Sequence, residues 1–82
     1  MNDETHAAIV RRALEKVAPE LEGVEIDPAK TFRDQFDIDS MDFLNFVIAM
    51  HQDTGLDIPE ADYPRLASLR GCLRYLSARL SP

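Results

Sequence analysis

The sequence predicts an all-α domain: a bundle of three long helices plus one short helix, with a long ordered first loop. Three observations predict it. Apolar residues recur at three- and four-residue spacing in three separate stretches. No alternation of apolar and polar residues runs far enough for a strand. The chain has 82 residues, 45% hydrophobic and 29% charged, which suits one domain over residues 1–82 with one modest core.

The first helix is expected over about residues 5–18. Ile9, Val10, Ala13, Leu14 and Val17 form its stripe, Arg11, Arg12, Glu15 and Lys16 its other face, and Pro19 helps end it. Residues 19–39 read as a loop without a regular element. Leu21, Val24, Ile26, Phe32, Phe36 and Ile38 are enough apolar side chains to pin it to the core. The second long helix is expected over about 40–54, with Gly55 as its stop. A short helix over about 59–65 would begin near Pro59 and be kept short by Pro64. The last long helix is expected over about 69–80, with Ser68 as N-cap and Leu69, Cys72, Leu73, Leu76 and Leu80 as its stripe.

Charge narrows the function. Nine basic and fifteen acidic side chains give −6 at pH 7. Nucleic-acid binders need a cationic footprint, and anionic membrane surfaces attract basic segments, so neither is an expected partner. No apolar run is long enough for a membrane span, and the polar, acidic N-terminus does not read as a targeting peptide. One cysteine, Cys72, cannot form an internal disulfide and fits a reducing cytoplasm. The charge is also unevenly placed. Residues 20–62 hold twelve acids against Lys30 and Arg33, whereas residues 63–82 hold four arginines and no acid. The acidic middle could be solvated surface, or could steer a basic partner. A chain this short has little room for both a deep pocket and a catalytic constellation. A binding, carrier or adaptor module is therefore expected, and not an enzyme.

The chemistry-bearing stretch is Phe36-Asp37-Ile38-Asp39-Ser40-Met41-Asp42-Phe43-Leu44. Here an acid and a serine stand where a long loop becomes a helix. Read locally, Asp39 caps the helix and Asp42 favours the positive end of its dipole. Capping does not exclude a second role. A serine in the first turn is rigidly placed and close to unpaired N–H groups, which favour an attached phosphodiester. A calcium loop fails on spacing, because counting from Asp37 the sixth position is Asp42 and the twelfth Ile48. A hydrolytic serine fails as well: Ser40 has no Gly-x-Ser-x-Gly setting, and nothing in the sequence ties His6 or His51 to it. His51 is expected on the surface, and Cys72, within an apolar stripe, as a packed thiol.

Over nearly its full length the chain resembles the acyl carrier proteins. The resemblance rests on Asp39-Ser40-Met41-Asp42, similar to the family's Asp-Ser-Leu-Asp, and on the apolar helix that follows. It rests also on Asp57-Ile58-Pro59-Glu60 and on Leu66-Ala67-Ser68-Leu69. It implies an acyl-carrier-like bundle that catalyses nothing. Ser40 would bear 4′-phosphopantetheine as a phosphodiester, installed from coenzyme A by a phosphopantetheinyl transferase. Asp39 would help present Ser40 to that enzyme, which itself uses Mg²⁺, and no metal would bind the carrier. The arm's thiol would hold acyl groups as thioesters. Partners would be an acyl-loading ligase or acyltransferase and downstream synthase enzymes of fatty-acid-like, polyketide or specialised metabolite synthesis. A freestanding cytoplasmic monomer is expected. The alternatives are an aminoacyl or peptidyl carrier, against which the Gly-Gly-His-Ser type of sequence is absent, and an all-helical adaptor without a prosthetic group.

Two departures from the family pattern shape the partner expectations. Asp37 stands three before the serine, where glycine is common. Typical fatty-acid carriers place glutamates along the second helix, but here Asn45, His51 and Gln52 stand at the matching positions. Eight of the ten residues 41–50 are apolar, more than one buried face requires. Partner recognition is therefore expected from Met41, Phe43 and Ile48 together with Asp37, Asp39 and Asp42. Leu44, Phe46, Val47, Ile58, Tyr63, Leu69 and Leu73 are expected as core or cavity-lining positions. Bulky aromatics among them point to short, polar or poorly sequestered cargo.

Overall fold

A computed structural model describes residues 3–80 of the chain. Four α-helices follow in order: α1 (Asp3–Val17), α2 (Phe32–Gln35), α3 (Ser40–Thr54) and α4 (Leu69–Leu80). A 3₁₀ turn at Pro19–Leu21 follows α1, and a 3₁₀ helix at Glu60–Leu66 precedes α4. The described residues contain no strand, only one isolated bridge between Thr31 and Ser68. The fold is the expected all-α, acyl-carrier-like bundle.

Helix α1 is the central packing element, lying against both α3 and α4. It begins earlier than the apolar period suggests, because Asp3 and Glu4 in its first turn favour the positive end of the dipole. Its buried face is Val10, Ala13 and Leu14, joined by His6. Opposite them lie Phe46, Val47, Ala49 and Met50 of α3 and Cys72, Tyr75 and Leu76 of α4. Each large apolar side chain buried here is worth about 1.5–3 kcal/mol relative to exposure. Charge closes two of the seams. Lys16 meets Asp53 at 3.0 Å between α1 and α3, and Arg79 meets Asp62 at 3.1 Å between α4 and the 3₁₀ helix.

The first loop is more structured than expected. Residues 19–39 hold the 3₁₀ turn and the single-turn helix α2, too short to carry a detectable period. Thr31 caps α2, its Oγ1 accepting from the Asp34 N–H at 3.0 Å. Phe32 drives the turn into the core, where its ring meets Phe46 edge-on at 5.3 Å. Gln35 locks the preceding chain: its Nε2 donates to the carbonyls of Asp27 and Lys30, and its Oε1 accepts from the Asp27 N–H. The loop is fastened to the start of α4 by Phe32 N–H to Ala67 C=O (2.8 Å) and Arg70 N–H to Pro28 C=O (3.1 Å). Of the six expected pins, Leu21, Phe32 and Ile38 are buried and Ile26 and Phe36 partly so, but Val24 is exposed.

The short element also differs from its expectation. It is a 3₁₀ helix with Pro64 inside it. Proline has no N–H to return to Glu60, so the α-helical ladder cannot form there. Helix α3 ends as expected at Gly55, which takes the left-handed conformation (φ 73°) and donates to His51 C=O at 2.8 Å. Ser68 accepts from the Gly71 N–H at 3.1 Å at the start of α4.

Candidate functional site

The site is built where the fastened loop meets α3. Asp39 is the N-cap, with extended backbone (φ −89°, ψ −178°), and its Oδ1 accepts from the Asp42 N–H at 2.8 Å. Its carbonyl accepts from the Phe43 N–H at 2.9 Å. The cap thus fixes the direction in which α3 leaves the loop. Ser40 is the first helical residue, exposed, and its hydroxyl has no hydrogen-bond partner among the described residues. A fixed backbone and an open side chain thus meet at the positive end of a helix.

Asp37 and Asp39 are exposed and Asp42 is half-buried, so the hydroxyl has an acidic rim. Asp37 does not need to be glycine here, since none of the described non-glycine residues has a positive φ. Ser40 opens onto a cleft of about 280 Å³. Phe32, Ile38, Phe43, Tyr63, Pro64 and Ala67 supply its largely apolar wall, and Thr31, Arg33 and Asp39 the polar part. Phe43 packs at a tilt against Phe46 (6.0 Å) and meets Tyr63 edge-on (6.4 Å), so it is a fixed, half-buried wall of the cleft. The wall residues come from the first loop, α3 and the 3₁₀ helix, which explains why the loop is held so firmly.

The excess apolar residues of α3 are found on its outer face. Met41, Leu44 and Ile48 are 71%, 43% and 42% exposed, and their spacing makes one stripe running away from Ser40. Met41 and Ile48 are therefore exposed, and Leu44, expected inside, is exposed with them. Of the other expected core or cavity positions, Phe46, Val47 and Ile58 are buried in the core and only Tyr63 reaches the cleft. Val47, Ile58 and Tyr63 also border a shallower hollow with Ile48, His51 and Asp57. Leu69 and Leu73 are half-buried and do not line the cleft.

Other reactive side chains take no part in the cleft. His51 is exposed, with its Nδ1 against the Leu56 carbonyl. His6 is buried in α1. Cys72 is fully buried, its Sγ donating to the Leu66 carbonyl at 3.3 Å, and burial pushes its thiol far above the ordinary range. Among the described residues no group of three or more His, Cys, Asp or Glu converges on a possible metal position. Sequence reasoning missed Arg33 as a member of this site. Its signal was present: it is one of two bases in a stretch of twelve acids.

The profile of the phosphopantetheine attachment site family matches residues 8–76. The chain therefore belongs to that family, the carrier proteins whose cofactor is a covalently attached 4′-phosphopantetheine. Such carriers are loaded by a phosphopantetheinyl transferase and act through partner enzymes. No solved structure matches this chain. The residues present fit the group. An exposed, unengaged hydroxyl at a helix start can bear a phosphodiester, and an apolar cleft opens beside it. When bound, the arm supplies a thiol that can hold a cargo as a thioester.

Proposed function

We propose that Ser40 is the attachment point of the arm, and that the chain carries acyl groups between enzymes of fatty-acid-like, polyketide or specialised metabolite synthesis. One observation carries this reading: a serine hydroxyl without a partner, presented by the Asp39 cap at the first turn of α3, beside an apolar cleft. The chain's own part is presentation. The Asp39 cap holds the helix start, the acidic rim of Asp37, Asp39 and Asp42 attracts basic partner surfaces, and the chain itself catalyses nothing. It works as a cytoplasmic monomer, one domain over residues 1–82. Its net charge of −6 disfavours nucleic acid and anionic membranes, and none of its described helices is long and apolar enough to cross a membrane.

Partner enzymes read the face that runs from this rim along α3. Met41, Leu44 and Ile48 give it an apolar stripe where further acids would make it polar. Substituting these three by serine should destabilise the fold by up to about 1 kcal/mol each, because Met41 is 71% exposed and Leu44 and Ile48 are 43% and 42% exposed. The same changes should lower the rate of acyl loading by the cognate ligase. Unchanged loading, with loss confined to Asp37→Asn and Asp42→Asn, would remove the apolar stripe from recognition. Cargo is short, polar or poorly sequestered, a reading supported by a cleft of only about 280 Å³, at the lower edge of ordinary ligand pockets. Loading of the arm is tested by intact mass after incubation with coenzyme A, Mg²⁺ and a transferase. A gain of one phosphopantetheine, lost in Ser40→Ala, supports Ser40, and a gain retained in Ser40→Ala contradicts it.

A further inference from the structure

Arg33 is out of place electrostatically. It sits in α2 between two long acidic stretches, and the nearby residues 34–42 hold Asp34, Asp37, Asp39 and Asp42 with no other base. Yet its guanidinium makes no ion pair or hydrogen bond among the described residues. It is exposed, and it lines the same cleft as Ser40. Asp39, the acid that shares this cleft, has an oxygen committed to capping α3, and Thr31 beside it caps α2. The cleft therefore has one cation with five unused donors, next to a hydroxyl and an apolar wall.

Attachment of the arm would change the charge here. A phosphodiester on Ser40 adds one negative charge to a rim that already carries Asp37, Asp39 and Asp42. The N–H groups of α3 offset part of that repulsion, but they are fixed dipoles and one of them is already taken by Asp39. A guanidinium is the group best matched to phosphate oxygens, since its planar fork can donate two parallel hydrogen bonds. α2 is held by the Thr31 cap and the buried Phe32, so Arg33 is presented from rigid backbone.

Resting on the assignment of Ser40, we infer that Arg33 is the positioning residue of the arm: it pairs with the phosphodiester and turns the pantetheine chain into the apolar cleft. Tyr63 and Pro64 then form the far wall against which the inner half of the arm lies. The pairing is between unlike charges at an exposed site, so it biases the arm without locking it. Partner enzymes can draw the arm out.

The test uses apo and holo protein with ³¹P spectra and the Arg33 Nε–H resonance, without any partner enzyme. Intact mass and peptide fragmentation first establish that the arm is on Ser40. In the holo protein the Arg33 Nε–H resonance should shift relative to apo, and the ³¹P resonance should differ between wild type and Arg33→Gln. Arg33→Lys should keep part of that difference, and Arg65→Gln, on another face, should leave it unchanged. The docked fraction of the arm should fall about two- to fivefold in Arg33→Gln, as for one exposed charge pair. Helical circular dichroism should be the same in all variants. Spectra indifferent to Arg33 in a correctly loaded protein would overturn the pairing and leave the attachment intact. A shift of Arg33 that appears only with a succinyl cargo would also overturn it, because the anion would then be the cargo's carboxylate. A chain that takes no arm at Ser40 would overturn both.

Discussion

Ser40 and Cys72 show how position decides the reactivity of a side chain. Ser40 is open because it is the first residue of a capped helix, and Cys72 is closed because it falls in the stripe that α4 turns inward. Native apo protein should consume no iodoacetamide, holo protein one equivalent at the arm, and denatured holo protein two. A second equivalent in the native state would show that Cys72 is accessible. The same burial links Cys72 to pH. Its thiol ionises near 9.0 in the unfolded chain but is held protonated well above that in the fold. The unfolded state thus loses its proton first, and this contribution to stability is full below about pH 9 and is lost as pH rises beyond it. Urea midpoints between pH 8 and 10 should fall more steeply for wild type than for Cys72→Ala. Tyr75 is shifted in the same direction by burial and by its bond to Asp62, and is common to both proteins, so the difference reports on Cys72. At this scale the sequence announced Asp39 and Ser40 through a motif. It did not announce Arg33 or Gln35, whose roles depend on which loop atoms the fold brings near them.

Helices were legible in proportion to their length. α1, α3 and α4 bury a face and so carry a period, and they were found with ends shifted by no more than two residues. α2 is one turn made by a cap and one buried phenylalanine, which leaves no periodic trace. The 3₁₀ helix had a visible cause in Pro64, and it packs against α4. That contact gives a sharp prediction. A Cβ added to Gly71 would stand 2.2 Å from the Arg65 carbonyl oxygen, a backbone atom that cannot rotate away. Gly71→Ala should therefore cost about 1–3 kcal/mol, as overpacking does. Against a total of about 4–12 kcal/mol for a chain of this size, that is a large fraction. Thermal melts of the variant would check it, and an unchanged midpoint would mean that α4 and the 3₁₀ helix are not packed this closely. The exposed stripe of Met41, Leu44 and Ile48 belongs to the element scale as well. Its existence followed from counting apolar residues, but which three lay outside depended on how α3 rolls against α1.

Across the whole molecule, charge is sorted. The acidic loop and the start of α3 surround Ser40, whereas Arg65, Arg70 and Arg74 near and along α4 carry no ion pair among the described residues. Such a distribution orients a carrier as it approaches a partner. Loading by a transferase with a basic docking face should slow as salt rises from 0.05 to 0.5 M, since exposed charges are screened over about 10 Å at 0.1 M. Asp37→Asn should weaken that salt dependence, and a rate independent of salt would remove the acidic rim from steering. These properties have a purpose only if the arm is where the fold presents it. The most direct measurement is peptide fragmentation mass spectrometry of transferase-treated protein. Trypsin releases residues 34–65 as one peptide, in which Ser40, Thr54 and Tyr63 are the hydroxyl-bearing side chains. The expected result is a phosphopantetheine mass on Ser40 and on no other residue. The same mass on Thr54, on Tyr63 or on a different peptide would contradict it.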